Sequence, residues 1–133
     1  MHKLKKLVPN PRSLGNPQDK EIVFSFKDLK LLSVKNAVKD GDFFIRFLER
    51  LSKISTRTWS SAYTTNKHGI AGIEIIDAQS LNASARALVP VGIDRLIVMR
   101  AVGDNRPFLG YRDGNVFNVV FIEYNFGDVY NHG

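Results

Sequence analysis

The C-terminal part of the chain contains two apolar segments, residues 106–112 and 115–124, which meet at Asp113 and Gly114. Asp-Gly is a favoured pair in the type I′ turns that join neighbouring antiparallel strands. The second segment, N-V-F-N-V-V-F-I-E-Y, is apolar almost throughout, which is typical of a central strand. The pattern predicts a β-hairpin, and residues 95–102 (R-L-I-V-M-R-A-V) extend it to a three-stranded meander.

The first half of the chain predicts two helices. Residues 43–54 have the clearest amphipathic pattern, with Asp42 placed as the N-cap. A second short helix is predicted from Ser55 or Thr56 to about Tyr63, so that the two helices form a hairpin packed on a sheet. The apolar residues of the first helix recur at spacings of three and four: Phe43, Phe44, Phe47, Leu48, Leu51 and Ile54.

The remaining segments complete an α+β prediction. Residues 21–29 alternate between apolar and polar side chains, which predicts an N-terminal strand. A short strand within 69–76 and a helical turn within 80–87 are weaker predictions. The expected fold is an N-terminal strand, a two-helix hairpin, and then an antiparallel sheet of three to four strands. It occupies residues 20–133 as a single domain, preceded by a flexible basic arm at 1–19, where prolines are frequent.

Charge and composition limit the function classes. Lys and Arg number 19 against 13 for Asp and Glu, a net charge of +6. This balance favours a polyanion or an acidic protein as partner, although surface charge that only maintains solubility is the simpler reading. The chain has no cysteine, which excludes disulfides and thiolate metal sites and suits a reducing cytoplasm. No apolar run approaches the roughly 20 residues that cross a bilayer, so we expect a cytoplasmic protein with no membrane partner.

Standard catalytic motifs are absent, and the basic side chains carry the functional signal. The sequence has no GxSxG, Walker or HExxH pattern, and its histidines are too scattered to predict a metal site. Arg106 and Arg112 share a strand face because their separation is even. Arg100 precedes the turn that Arg106 follows, which predicts two guanidinium groups within reach of one phosphate. The alternative is a solvated sheet edge on which arginine discourages aggregation.

Other polar and aromatic residues extend this candidate surface. Lys67 and His68 lie in a predicted loop, where they offer donors to a phosphate and a proton-transfer group. Tyr111 and Tyr130 are the tyrosines best placed for exposed stacking on nucleic-acid bases. Arg95 lies on the strand that contains Arg100, at an odd separation that predicts opposite faces.

The stretch R-P-F-L-G-Y-R-D-G-N-V-F-N-V-V-F-I-E-Y-N-F-G-D-V-Y resembles the end of RelE/ParE-type toxins from bacterial toxin–antitoxin pairs. Those toxins end with an Arg-bearing strand, a tight turn, an apolar strand and a short segment closing on a Tyr. The order of elements in 21–124 also matches, and the helical hairpin followed by Trp59 and His68-Gly69 is similar to uncharacterised, prophage-associated RelE-like proteins. The chain departs from the family in its longer segment 64–93 and in a C-terminal segment with no Lys or Arg.

The resemblance implies an mRNA endoribonuclease, acting either on free mRNA or on the ribosome, in which a ribose 2′-hydroxyl attacks the neighbouring phosphate without a metal or other cofactor. The implied partners are a cognate antitoxin and RNA or the ribosome. The implied catalytic residues are His68, Arg100, Arg112, Tyr130 and His132, and the implied RNA-binding residues are Lys67, Arg95, Arg106 and Tyr111.

Two alternatives stay open because a shared fold does not determine function. ParE-like toxins are not nucleases and inhibit DNA gyrase by binding it, in which case the basic residues are contacts only. A prophage accessory protein that binds a host factor or nucleic acid without toxicity is the other alternative.

Overall fold

A computed structural model describes residues 16–65 and 72–132. They form an α+β fold, as predicted. Its helices are α1 (Gly41–Ile54), α2 (Trp59–Thr64) and α3 (Ala83–Arg86), and its strands are β1 (Val23–Ser25), β2 (Glu74–Asp77), β3 (Arg95–Arg100), β4 (Pro107–Asp113) and β5 (Val116–Ile122). The predicted arm at 1–19 lies outside the described residues except for its last part, where Pro17–Asp19 forms a 3-10 turn.

The strands form one five-stranded sheet in the order β1-β5-β4-β3-β2. Strands β2 to β5 are antiparallel to their neighbours, as predicted for the meander, but β1 runs parallel to β5. The N-terminal strand therefore makes this a mixed five-stranded sheet, which the predicted antiparallel sheet of three to four strands did not include. Two long-range hydrogen bonds to the carbonyl of Asn115 set the position of β1 and α2, from the amide of Val23 (3.1 Å) and the indole Nε1 of Trp59 (3.0 Å).

A β-bulge interrupts β5. Leu109 pairs with Phe121 and Gly110 pairs with Val119, so Val120 has no partner on β4. The carbonyl of Val120 instead accepts a hydrogen bond from the amide of Lys30 (2.8 Å), on the chain that leaves β1. The bulge shifts the alternation of side chains along β5, and β1 pairs only with the part of β5 before it.

Each face of the sheet has its own apolar cluster. We call the side covered by α1 and α2 the helix face, and the side covered by residues 81–93 and 129–130 the opposite face. The helix face is packed with Phe43, Phe47, Leu51, Ile54, Trp59, Met99, Phe108 and Phe117. The opposite face is packed with Leu81, Ala85, Leu96, Val98, Leu109, Phe121, Val129 and Tyr130. Strand β5 is buried from both sides and lies inside the sheet, between β1 and β4, as its apolar run predicted.

The caps of the helices differ from those predicted. The N-cap of α1 is Asp40, whose Oδ1 accepts a hydrogen bond from the amide of Phe43 (3.0 Å), and Asp42 lies in the first turn instead. The N-cap of α2 is Thr58, whose hydroxyl accepts from the amide of Ser61 (3.2 Å). A capping side chain must reach an amide two or three residues ahead, and several polar residues near each helix start meet that spacing.

The hairpin turn is also of another type than predicted. Asp113 pairs with Val116, so the two central turn residues are Gly114 and Asn115. Of these, only Gly114 has a positive φ, 63°. A type I′ turn needs positive φ at both central residues, whereas a type II′ turn needs it only at the first, where glycine is preferred. The backbone therefore has the pattern of a type II′ turn.

No helix among the described residues is long and apolar enough to span a membrane.

Asp40 predicts a pH dependence of stability. The hydroxyl of Tyr124 donates to its Oδ2 (2.6 Å), and this bond, together with the Phe43 amide, holds the pKa of Asp40 below its ordinary value of 3.8. A carboxyl with a lowered folded-state pKa stabilises the fold above its unfolded pKa, and this contribution is lost as the pH falls through the folded pKa. We expect Asp40→Asn, which keeps a capping side chain, to be less stable than the wild type at neutral pH.

The difference should shrink as the pH falls below about 4. Urea denaturation of both proteins over a pH series measures it. Asp42→Asn, in the same helical turn but outside the cap, is the control. A difference between wild type and Asp40→Asn that stays constant with pH would contradict the assignment.

Candidate functional site

Five polar side chains gather on the opposite face near the end of β3, and we call them the Arg100 cluster: Glu74, Arg100, Glu123, Tyr130 and His132. Arg100 is only 7% exposed. Its Nη2 lies 3.3 Å from Oε1 of Glu74 on the neighbouring strand β2. Its Nε and Nη1 are buried and have no hydrogen-bond partner among the described residues. A buried guanidinium group usually satisfies its N–H donors, so these two nitrogens are an unusual pair of unsatisfied donors.

Glu123 is the most buried charged residue of the cluster, with no exposed surface. Its Oε2 accepts hydrogen bonds from the amides of Val129 (2.7 Å) and Tyr130 (3.2 Å). Its Oε1 is paired with Nε2 of His132. These bonds compensate for the loss of hydration of the carboxylate, and they fasten residues 129–132 to the end of β5.

The imidazole ring of His132 packs against two aromatic rings, and its Nε2 binds Glu123. The ring centroid lies 3.8 Å from that of Phe126 and 3.9 Å from that of Tyr130. Its side chain is 13% exposed. A carboxylate that binds one imidazole nitrogen orients the ring and leaves the other nitrogen for proton transfer. The Glu123–His132 pair thus has the arrangement of a positioned acid–base group at the margin of the protein surface.

Tyr130 is buried, with 7% exposure, so the expectation that it is available for exposed stacking on bases is wrong. Its backbone pairs with Leu81 in an isolated bridge, which places the ring over the sheet. Burial raises the pKa of the Tyr130 phenol, while the neighbouring Arg100 guanidinium opposes the rise. The phenol therefore remains a neutral hydrogen-bonding group at physiological pH.

Arg112 lies on the helix face, away from the Arg100 cluster. Its guanidinium carbon is 4.5 Å from the ring centroid of Trp59 and 5.8 Å from that of Tyr63. Its Nε donates to the carbonyl of Gly114 (2.7 Å), and its Nη1 lies 3.3 Å from the hydroxyl of Tyr63. The structure therefore does not bring Arg112 together with Arg100, Tyr130 and His132.

Arg106 is also on the helix face, as its even separation from Arg112 predicted. Its guanidinium carbon lies 4.7 Å from the ring centroid of Phe43, and its Nε is 2.9 Å from Oδ2 of Asp104. The prediction that Arg100 and Arg106 share one phosphate is wrong. Arg100 pairs with Pro107 across the two strands, so the residue before Pro107 points to the face opposite to Arg100.

The other predicted RNA-binding residues are dispersed. Arg95 is exposed and lies 3.6 Å from Asp77, at the far end of β3. Tyr111 is half-buried on the opposite face, and its hydroxyl donates to Asp28. This bond is the main cause that raises the pKa of Tyr111. Lys67 and His68 lie outside the described residues.

Sequence reasoning missed the two acidic members of the cluster, Glu74 and Glu123. Glu123 had a detectable signal, because it is the one charged residue in the apolar run of residues 115–124, and a carboxylate in such a run needs a partner. Glu74 had none, since its role depends on the pairing of β2 with β3. Among the described residues, no group of three or more His, Cys, Asp or Glu side chains is arranged to hold a metal ion.

Comparison with known proteins adds no family assignment: no family model, curated protein or solved structure matches the chain. The resemblance to RelE/ParE-type toxins therefore stays a prediction from the sequence.

Proposed function

We propose that this protein is the toxin of a toxin–antitoxin pair and acts as a metal-independent endoribonuclease on mRNA. The observation that carries the proposal is a series of contacts on one face of the sheet: the Arg100 guanidinium lies beside the Tyr130 phenol, the Tyr130 ring packs on the His132 imidazole, and His132 binds the buried carboxylate of Glu123. Arg100 lies at the end of β3, and Tyr130 and His132 follow β5, yet all three lie on the opposite face of the sheet. An acid–base group, a buried cation and a phenol in contact are what cleavage of a phosphodiester by its own ribose requires.

In the proposed reaction, neutral His132 accepts the proton of the 2′-hydroxyl. The O2′–P bond forms, the P–O5′ bond breaks, and the departing O5′ takes a proton from water. The products are a 2′,3′-cyclic phosphate and a 5′-hydroxyl end. His132 meets the RNA because its side chain reaches solvent, whereas Arg100 is more deeply buried and stabilises the developing charge from within. Glu123 is a positioning residue that orients His132.

His132→Ala is expected to lower the cleavage rate by about 10²- to 10⁴-fold, which is the usual contribution of an acid–base group. The measurement is cleavage of end-labelled mRNA by purified protein, with and without ribosomes, together with analysis of the product ends. Arg112→Ala is the control, since its side chain lies on the helix face. Glu123→Gln should lower kcat and leave KM nearly unchanged. Cleavage by His132→Ala at the wild-type rate would refute the role of His132.

A second candidate function is a non-enzymatic toxin that binds a host protein such as gyrase. The observation that favours it is a pair of exposed apolar side chains one turn apart on α1, Ile45 (67% exposed) and Leu48 (60% exposed). Large exposed apolar side chains that lie together are typical of protein contacts. Induced expression in a bacterium separates the two candidates. Growth arrest with loss of mRNA supports the ribonuclease, and arrest with intact mRNA supports the protein inhibitor.

A further inference from the structure

A cleft with a volume of about 230 Å³ lies between α1 and the chain that follows β3. It is lined by Arg46, Glu49, Arg50, Lys53 and Gly103. Three of these side chains are cationic and one is acidic, so the cleft has a net positive charge. The four charged residues lie on the polar side of the amphipathic helix α1, and none of the lining residues belongs to the Arg100 cluster.

Arg50 is the fixed element of the cleft. Its Nε donates to the carbonyl of Arg100 and its Nη2 donates to the carbonyl of Val102, both at 3.2 Å. Among the described residues, no carboxylate lies within 4 Å of its guanidinium. Partial burial lowers the pKa of Arg50, which the more distant charge of Asp104 only partly offsets. The guanidinium is therefore oriented by backbone groups while its positive charge lacks a close anion.

Arg46 and Lys53 flank Arg50 on the same side of α1, because residues four and three apart lie along one helix face. The ion pair that Arg46 forms with Asp42 is long, 3.8 Å between Nη1 and Oδ2. Its Nη2 lies over Gly103, where an added Cβ would come within 3.7 Å. The glycine thus leaves the space next to Arg46 open, and the exposed ammonium group of Lys53 can turn toward the same space.

We propose that this cleft binds a phosphate group of the RNA backbone, apart from the phosphate that is cleaved. An oriented guanidinium group is suited to this because its planar N–H donors match phosphate oxygens. The proposal rests on the proposed function for the identity of the polyanion. The strand end links the two sites, since the carbonyl of Arg100 binds Arg50 while the side chain of Arg100 belongs to the catalytic cluster. RNA held in the cleft would pass around this end of the sheet to His132.

The test compares two variants that each remove two positive charges. Arg46→Gln/Lys53→Gln changes the cleft and keeps Arg50, whose bonds to the backbone support the fold. Lys35→Gln/Lys39→Gln is the matched control, because both lysines are exposed and lie outside the cleft. The probe is a fluorescent 2′-O-methyl RNA oligonucleotide, which cannot undergo 2′-hydroxyl attack, and its affinity is measured over a series of salt concentrations.

We expect the cleft variant to bind on the order of tenfold more weakly and to lose about 0.7 to 1.4 from the slope of log affinity against log salt, the amount for one or two phosphate contacts to a single strand. The control variant should bind nearly as the wild type does. Equal losses in both variants, no loss in either, or no measurable binding by the wild type would each overturn the proposal. A wild-type protein whose cleft binds polyglutamate with higher affinity than the RNA oligonucleotide would also overturn the proposal.

Failure of the proposed phosphate site can be distinguished from failure of the proposed ribonuclease activity. If the wild type binds the oligonucleotide through the cleft but cleaves no mRNA, the phosphate site stands and the ribonuclease does not. If the protein cleaves mRNA and the cleft variant keeps the wild-type KM and affinity, the ribonuclease stands and the cleft does not.

Discussion

Gly110→Ala is expected to prevent folding, or to lower the free energy of unfolding by more than about 4 kcal/mol. An ideal Cβ at this position would lie 2.0 Å from the carbonyl oxygen of Asn118, 2.9 Å from its carbonyl carbon and 2.4 Å from Cε1 of Phe117. Two of these atoms belong to the backbone of β5, so a rotamer change cannot relieve the contact. Only separation of β4 from β5 would make room, and these two central strands support both apolar clusters.

The loss is comparable with the roughly 5–15 kcal/mol of total stability of a small domain. Soluble yield, circular dichroism and urea denaturation measure it. The control is Gly41→Ala in the first turn of α1, where an added Cβ would meet nothing within 4 Å. That variant should differ from the wild type by about 1 kcal/mol or less. A Gly110→Ala protein with wild-type stability would show that β4 and β5 do not approach each other as described.

Glu123→Ala is expected to lower the free energy of unfolding by about 3–5 kcal/mol, because each buried donor that is left without its acceptor costs about 1–3 kcal/mol. The substitution leaves the amides of Val129 and Tyr130, and Nε2 of His132, without their acceptor. We expect residues 129–132 to detach from the sheet before the rest of the domain unfolds. Hydrogen exchange at the amides of Val129 and Tyr130 should then be faster than at the amides of β4.

Two further variants test whether the loss of stability is specific to the buried carboxylate of Glu123. Glu123→Gln keeps one acceptor oxygen and should be destabilised less than Glu123→Ala. Glu49→Ala removes an exposed carboxylate of α1 and should change stability by no more than about 0.5 kcal/mol. If the amides of Val129 and Tyr130 keep their protection from hydrogen exchange in Glu123→Ala, then Glu123 does not fix residues 129–132 to the sheet. Its proposed role in orienting His132 would then be contradicted as well.

The mutations also separate stability from function. Glu123→Ala changes both, because the same carboxylate holds residues 129–132 and binds the imidazole. His132→Ala leaves the two amide bonds of Glu123 in place. A loss of RNA cleavage in His132→Ala with a near-normal free energy of unfolding would therefore assign the loss to chemistry.

Local patterns in the sequence were sufficient for the main elements. The period of apolar residues places α1, and the apolar run of residues 115–124 places β5 between two neighbours. The caps at Asp40 and Thr58 were missed because several nearby polar residues satisfy the same local rule. The turn type was missed because the register of Asp113 with Val116 selects which residues turn.

The parallel pairing of β1 with β5 and the bulge at Val120 also escaped prediction, since both depend on contacts between segments remote in sequence. The candidate site likewise combines features that the sequence shows with features that depend on tertiary contacts. Residue types alone identify which side chains carry charge or can transfer protons, among them Arg100 on a strand, and Tyr130 and His132 after the last strand. Only the tertiary structure decided that Arg112 and Arg106 lie on the helix face, and that Glu74 and Glu123 complete the cluster on the other. The physical reason is that which face of the sheet a side chain occupies, and which charge it meets there, depends on strand register and on what covers each face.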